Sequence, residues 1–345
     1  MKLFKYYDII SLVLKLMGGG CFMPATIVHS YFAKDILEIL PSSIVDMVND
    51  SRVRMFSQSM NSLMFYNLFN PLPGKKVREF AEYFHRNKTQ QYFVNLINYI
   101  KDNNLINDSD VASFLIGSIC HYVLDSTVHP FIVYKSGVFN KREKNTYKYN
   151  NVHTFMETFL DNDMIARRED ISPYHFKLGN FCFNTRKFSD ELNHCLDYTF
   201  YETFQIKNMS KIYYKSLKQM KKALLVFRRD PIGVKKFFYK LADTFTPKSV
   251  FRFEAISYHY PLADKHNFLN LNHQLWRNPV IYNITSNESF LDLYLKALKI
   301  AKVLICASFD YINGKNIELD KIYTNMSYVT GLNCDIEKEI KYFEF

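Results

Sequence analysis

The amino-acid sequence predicts an all-α fold, a single bundle-like domain built from many helices. Apolar residues recur every three or four positions in segment after segment, which is the period of a helix with one buried face. The alternation of apolar and polar residues that marks a half-buried strand is scarce. The chain has 345 residues, of which 48% are hydrophobic, so it can bury a large core and is not disordered.

Seven segments carry the helical period. In the third, Ser109 and Asp110 stand where an N-cap is expected, and Pro130 disfavours helix at the residue before it, so we expect this helix to end at His129. Loops are expected at 70–76, 135–151 and 257–287. The helical segments are 33–48 (a helix that opens near residue 24), 77–102, 108–129, 151–167, 188–204, 230–245 and 287–312.

The two ends of the chain are set apart from the domain. Residues 1–22 read as a leader or a misassigned start, because Lys2 and Lys5 precede an apolar run that Asp8 and Lys15 interrupt. The domain is expected over 23–312, with 313–345 as a tail that is packed on it or mobile. We expect a cytoplasmic protein; the alternative is a secreted or membrane-anchored one, if residues 1–22 act as a leader.

Composition and charge limit which kinds of partner are expected. The net charge of +10 favours anionic partners such as phosphate head groups, nucleic acid or an acidic membrane, although a solvated basic surface is the simpler interpretation. No run of 18 apolar residues occurs, so no transmembrane helix is predicted. The six cysteines are scattered without a CxxC pair, and we expect mostly free, buried thiols. The sequence does not predict an oligomeric state.

The stretch HYVLDSTVHP, residues 121–130, places His121, Asp125 and His129 four residues apart in an apolar setting. A step of four residues advances only about 40° around a helix, so the three side chains form one stripe. His153 and Glu157 repeat the spacing on the next predicted helix. Imidazole and carboxylate suit Zn²⁺, and uncompensated charges among apolar residues are costly.

Each of these pairs has a simpler explanation when taken alone. A lone histidine on a helix is more often exposed or satisfied by a neighbour than a metal ligand, and a His–Asp pair at this spacing is often a surface ion pair. Two helices that carry such patterns together favour a metal site between helices. His29 and His85 are further candidate ligands.

With these motifs the chain resembles the bacterial zinc-dependent phospholipase C family, in particular its clostridial-type, intracellular branch. The resemblance follows the chain from about residue 23 to 310 and implies an all-helical fold around clustered zinc ions. The segments that carry it, in order, are His29, 57–67, 83–93, HYVLDSTVHP at 121–130, VHTFME at 152–157, and, as supporting evidence, 269–279 and 287–297.

The resemblance also implies two or three zinc ions and their ligands. One ion would be bound by His85, His121 and Asp125, a second by His129, His153 and Glu157, and a third by His29 and Asp125, which bridges it to the first. Secreted members of the family complete the third site with an N-terminal Trp, whereas the only Trp of this chain is Trp276.

Two residues bear on catalysis in this resemblance. Asp125, as the shared ligand, would position the attacking water. Asn61 stands where the family has an aspartate that binds zinc and is argued to act as the base. An Asn oxygen can bind a metal, but it cannot accept a proton, so another base or slower chemistry is implied.

The implied reaction is hydrolysis of a phospholipid or another phosphodiester, in which a water molecule acidified by zinc attacks phosphorus and releases a diacylglycerol. Peripheral membrane contact is expected with such a substrate. One alternative is a metal-dependent nuclease with a similar three-zinc site, although no specific nucleic acid is predicted. Another is a catalytically impaired metal-binding protein, which Asn61 and the missing N-terminal Trp favour.

Overall fold

The structure, a computed structural model, describes residues 25–68, 71–247, 252–259, 263–336 and 339–344. Helices dominate these residues, which confirms the all-α prediction. The expected leader, residues 1–22, and Cys21 lie outside the described residues. The α-helices are α1 (Thr26–Ile39), α2 (Ser42–Val45), α3 (Asp50–Phe56), α4 (Pro71–Phe84), α5 (Thr89–Asp102), α6 (Ser109–Ser136), α7 (Val152–Glu169), α8 (Leu178–Cys182), α9 (Asp190–Phe204), α10 (Met209–Phe227), α11 (Val234–Phe245), α12 (Phe290–Ile312) and α13 (Leu319–Ile322).

Short elements link these helices. Strands β1 (Trp276–Arg277) and β2 (Thr285–Ser286) pair antiparallel within the loop region expected at 257–287, with Trp276 opposite Ser286. The 3₁₀ turns are Ser59–Phe65, Leu105–Asn107, Lys144–Tyr149, Pro173–His175 and Phe253–Ile256.

Helix α6 is the central element of the fold. It is 28 residues long, almost all of its side chains are buried, and it packs against α1, α3, α7 and α12. Its first turn is capped by Asp108, whose side chain accepts a hydrogen bond from the Val111 amide at 2.8 Å. By length and composition α6 could cross a membrane, although no such stretch was expected. However, 94% of its most apolar window is buried inside the protein, so this is weak evidence for a span.

The expectation that this helix ends at His129 is wrong, because α6 continues through Pro130 to Ser136. Proline has no amide hydrogen, so the carbonyl of Ser126 lacks its usual helical partner. The turn at Gly331 approaches this carbonyl closely: a Cβ on Gly331 would lie 2.6 Å from the Ser126 oxygen. Burial on all sides therefore outweighs the local preference of the residue before proline.

Other helix predictions also need correction, and one helix was not predicted. Residues 71–76 belong to α4 rather than to a loop, since proline is well tolerated in the first turn of a helix. The single helix expected at 77–102 divides into α4 and α5, and Lys88 between them has a positive φ of 56°. Helix α10 was not predicted, although its buried residues follow the helical period between many lysines.

The C-terminal residues pack beside α5 and α6. Tyr323 and Tyr328 are buried, and the Tyr122 hydroxyl on α6 donates a hydrogen bond to the Thr324 carbonyl at 2.8 Å. The Tyr328 amide donates to the His85 carbonyl, also at 2.8 Å. This segment therefore lies directly against the histidines singled out in the sequence.

Candidate metal centre

The structure brings all seven predicted metal ligands together from four parts of the chain. Helix α1 contributes His29, and His85 directly follows α4. Helices α6 and α7 contribute the stripes predicted from their four-residue spacing: His121, Asp125 and His129 from α6, and His153 and Glu157 from α7. All except His153 are buried.

The first group consists of His29, His121 and Asp125, whose potential ligand atoms all lie within 4.8 Å of one another. The two imidazoles approach different oxygens of the carboxylate. His29 Nε2 is 3.1 Å from Asp125 Oδ1, and His121 Nε2 is 3.2 Å from Asp125 Oδ2. This arrangement suits a carboxylate that bridges two sites.

His85 lies beside this group. Its Nε2 is 3.4 Å from His121 Nε2, and its Nδ1 is 2.5 Å from the carbonyl oxygen of Ala81, one turn earlier in α4. If Nδ1 carries the proton, it donates to that carbonyl and leaves Nε2 as the metal-binding atom.

The second group consists of His129, His153 and Glu157. Both imidazoles approach the same carboxylate oxygen: Glu157 Oε1 is 3.5 Å from His129 Nε2 and 3.2 Å from His153 Nε2. His129 Nδ1 is also 3.8 Å from Asp125 Oδ2, so the two groups adjoin through α6.

Hydrogen bonds from elsewhere in the fold orient the imidazoles. Besides the Ala81 carbonyl at His85, backbone carbonyls face two more of them: Ser57 O lies 3.0 Å from His121 Nδ1, and Tyr328 O lies 3.1 Å from His129 Nδ1. These partners could not be predicted, because a carbonyl is present at every residue and carries no sequence signal. Such contacts fix the tautomer that presents Nε2 to a metal.

Close packing sets the Ser57 contact. Gly117 lies one helical turn before His121, and a Cβ there would be 2.6 Å from Phe56 Cβ and 2.9 Å from the Ser57 amide nitrogen. Only a glycine allows α6 to approach the end of α3 this closely. The aromatic ring of Tyr328 covers the other side of the group, edge-on to both His85 and His121.

Burial and charge set the protonation states. Burial lowers the pKa of His85 to about 4 and lowers that of His121 well below its usual value, so both are neutral at pH 7 and able to bind a metal. For Asp125 and Glu157, burial alone would raise the pKa, but the facing imidazoles lower it, which keeps both carboxylates ionised. Burial opposes protonation of His129, whereas Asp125 and Glu157 together raise its pKa.

The centre fits a zinc site by two criteria. Its donors are imidazole nitrogens and carboxylate oxygens, the set that zinc binds in proteins. In addition, Asp125 Oδ2 and both side-chain oxygens of Glu157 are buried and accept no hydrogen bond within the described part of the chain. Buried anionic oxygens without donors are costly, and bound cations would satisfy them.

Asn61 lies in the 3₁₀ turn Ser59–Phe65, four residues after Ser57. It is buried, and its Oδ1 accepts no hydrogen bond from the described residues. The turn starts at Ser59, which has a positive φ of 41°, a strained conformation for a residue with a side chain. Asn61 thus offers a neutral oxygen in the segment that orients His121.

A cavity of about 670 Å³ is lined in part by Val152 and Phe155 from the first turn of α7. Its lining is cationic and aromatic, with Glu254 as the one acidic residue. The charged and aromatic lining residues are Lys148, Lys236, Lys240, Arg252, Glu254, Tyr147, Phe155 and Phe268.

Comparison with known proteins gives one match. The model of a family described as zinc dependent phospholipase C matches residues 28–223, a range that contains all seven predicted ligands and Asn61. No curated protein and no solved structure shows a significant match to the chain.

Proposed function

From the premise that the chain belongs to the zinc-dependent phospholipase C family, we propose that it hydrolyses phospholipids at the bond between glycerol and phosphate. The observation that carries the proposal is the buried centre, which consists of two groups of histidines with one carboxylate each. The two groups meet where Asp125 faces His129. The family is the one that the sequence resembles; the assignment to its intracellular branch stays a prediction.

We assign zinc to both groups of the centre. His29, His121 and Asp125, with His85 beside them, would bind on one side, and His129, His153 and Glu157 on the other. Because Asp125 presents one oxygen to His29 and the other to His121, it can bridge two ions on its side of the centre. One ion in each group is therefore expected, and a bridging Asp125 would allow a third.

Zinc, when bound, supplies positive charge that stabilises the phosphate oxygens and lowers the pKa of a water molecule. The residues of the chain position the reacting groups. Neutral His85 and His121 can bind a metal at Nε2, and ionised Asp125 places its carboxylate between two imidazoles to orient the attacking water. Asn61 stands where the family has an aspartate; its neutral Oδ1 would accept a hydrogen bond from that water but not its proton, so turnover would be slower than with an aspartate.

The expected products are a diacylglycerol and a phosphorylated head group. Nucleic acid is a second phosphodiester, but the family match favours a phospholipid as substrate. The cytoplasmic location stays a prediction.

The test combines metal content with turnover. Purified protein is analysed for zinc and assayed on phosphatidylcholine, a chromogenic phosphodiester and single-stranded DNA. His153→Ala removes a ligand, while His194→Ala, on the exposed side of α9, removes a histidine outside the centre.

We expect at least two zinc ions, lipid hydrolysis that a chelator abolishes, and loss of hydrolysis in His153→Ala alone. Zinc without turnover of any substrate would indicate an impaired metal-binding protein, and cleavage of DNA in preference to lipid would indicate a nuclease. Absence of zinc would refute the proposal.

A further inference from the structure

Helix α11 (Val234–Phe245) turns its apolar stripe away from the protein. Apolar residues recur at three- and four-residue spacing, so they share one side of the helix, as in a typical core-facing helix. Here, however, each is between 44% and 79% exposed. The stripe consists of Val234, Phe237, Phe238, Leu241 and Phe245.

The opposite side of α11 attaches it to the domain through mainly polar contacts. The buried carboxylate of Asp243 accepts hydrogen bonds from the amides of Phe253 and Glu254 at 2.8 and 2.9 Å. Tyr239 stacks on Phe253 with ring centroids 5.7 Å apart, and its hydroxyl donates to the Phe227 carbonyl. These contacts fix the orientation of the helix and hold the apolar stripe towards solvent.

The exposed charged side chains of α11 are lysines. Lys236 and Lys240 are exposed, and neither forms an ion pair within the described part of the chain. Lys235 donates from Nζ to the carbonyls of Val226 and Arg229. Asp243, the one carboxylate on the helix, is buried on the other side. At about 100° per residue, Lys235 and Lys240 therefore lie on either side of the exposed stripe, whereas Lys236 lies further round, near Asp243.

We propose that α11 is a membrane-docking helix that lies on an anionic lipid surface and inserts its phenylalanines among the acyl chains. An exposed apolar stripe flanked by lysines is the pattern of helices that bind in the plane of a bilayer. A second copy of the chain fits less well, because a symmetric pair of these helices would bring the same lysines close together. An anionic surface neutralises them instead.

The docking helix is separate from the metal centre in the chain. It follows residue 223, where the family match ends, and it contains none of the seven predicted ligands. Lys236 and Lys240 also line the cationic cavity that Val152 and Phe155 of α7 border. The inference concerns binding and does not depend on turnover.

Binding of the full chain to vesicles tests the proposal. Vesicles of phosphatidylcholine alone are compared with vesicles that also contain phosphatidylserine, at low and high salt. The double variant Phe237→Ser/Phe245→Ser removes two phenylalanines from the stripe. The matched control, Leu295→Ser/Val303→Ser, removes two exposed apolar side chains from α12.

We expect the chain to bind the anionic vesicles, with weaker binding at high salt. The double variant should bind at least about tenfold more weakly, because each phenylalanine buries a large apolar area, while the control should bind like the unaltered chain. Equal binding by the double variant would overturn the proposal, as would no vesicle binding at all. A self-association that only the double variant loses would assign the stripe to a second copy instead.

Discussion

Asp161→Asn should strongly destabilise the protein, because this carboxylate joins three elements at the base of the metal centre. Its Oδ1 accepts hydrogen bonds from the amides of Ile27 and Val28, both at 3.0 Å, at the start of α1. Its Oδ2 accepts a hydrogen bond from Arg228 Nη1 at 2.9 Å. His29 is the next residue of α1, so Asp161 also sets the position of a predicted ligand.

The magnitude follows from burial. The side chains of Asp161 and Arg228 are 0% and 2% exposed. Removing one partner of such a pair leaves a buried charge uncompensated, at a cost of about 3–5 kcal/mol. Asparagine keeps one acceptor oxygen for α1, but it can only direct its NH₂ group towards the guanidinium, so little of this loss is recovered.

The assay is urea-induced unfolding, with Asp163→Asn as the matched control. Asp163 lies two residues further along α7 and pairs with Arg167 at 2.6 Å, but that arginine side chain is 51% exposed, so the pair is worth about 0.5 kcal/mol or less. If Asp161→Asn does not fold, Asp161→Asn/Arg228→Met removes the uncompensated charge and should restore folding. A difference below about 1 kcal/mol between the two single variants would refute the reasoning.

Three further outcomes are expected. In the zinc-free protein, His85 and His121 have pKa values below those of the same residues in the unfolded chain. Their contribution to stability is therefore complete above about pH 6.5 and is lost as the pH falls towards 4. Unfolding at pH 8 and at pH 5 measures this loss, and equal stabilities would contradict it. His129, with a raised pKa, contributes in the opposite direction. Gly117→Ala should lower the free energy of unfolding by about 1–3 kcal/mol and lower the zinc content, because the new Cβ would press on Phe56. Gly179→Ala is the control and should cost less, because a methyl group there meets mainly a flexible leucine side chain. Asn61→Asp should raise turnover about tenfold or more by restoring a proton acceptor, measured against Asn61→Ala; a rate no higher than that of the alanine variant would exclude this role.

The sequence predicted the helical class and the stripes of candidate ligands, because both depend on local spacing. Four-residue steps place His121, Asp125 and His129 on one side of a helix wherever that helix lies, and the same holds for His153 and Glu157. His29 and His85 have no such spacing; they were candidates by residue type alone, and the resemblance assigned them to the ligand set.

Local rules failed where packing outweighed them. Pro130 was expected to end a helix that burial carries on to Ser136. The loop expected around 70–76 is mostly helix, and α10 was overlooked because its lysines obscured a regular apolar period.

By itself, then, the sequence determined which residues could bind zinc and which segments are amphipathic, since both follow from residue type and helical period. Only the tertiary structure decided the partners of those residues. It placed His29 and His121 on opposite oxygens of Asp125, and it oriented two imidazoles with the carbonyls of Ser57 and Tyr328. It also turned the apolar side of α11 outward, because a helical period fixes which residues share a side, whereas packing against the rest of the chain fixes which side is covered.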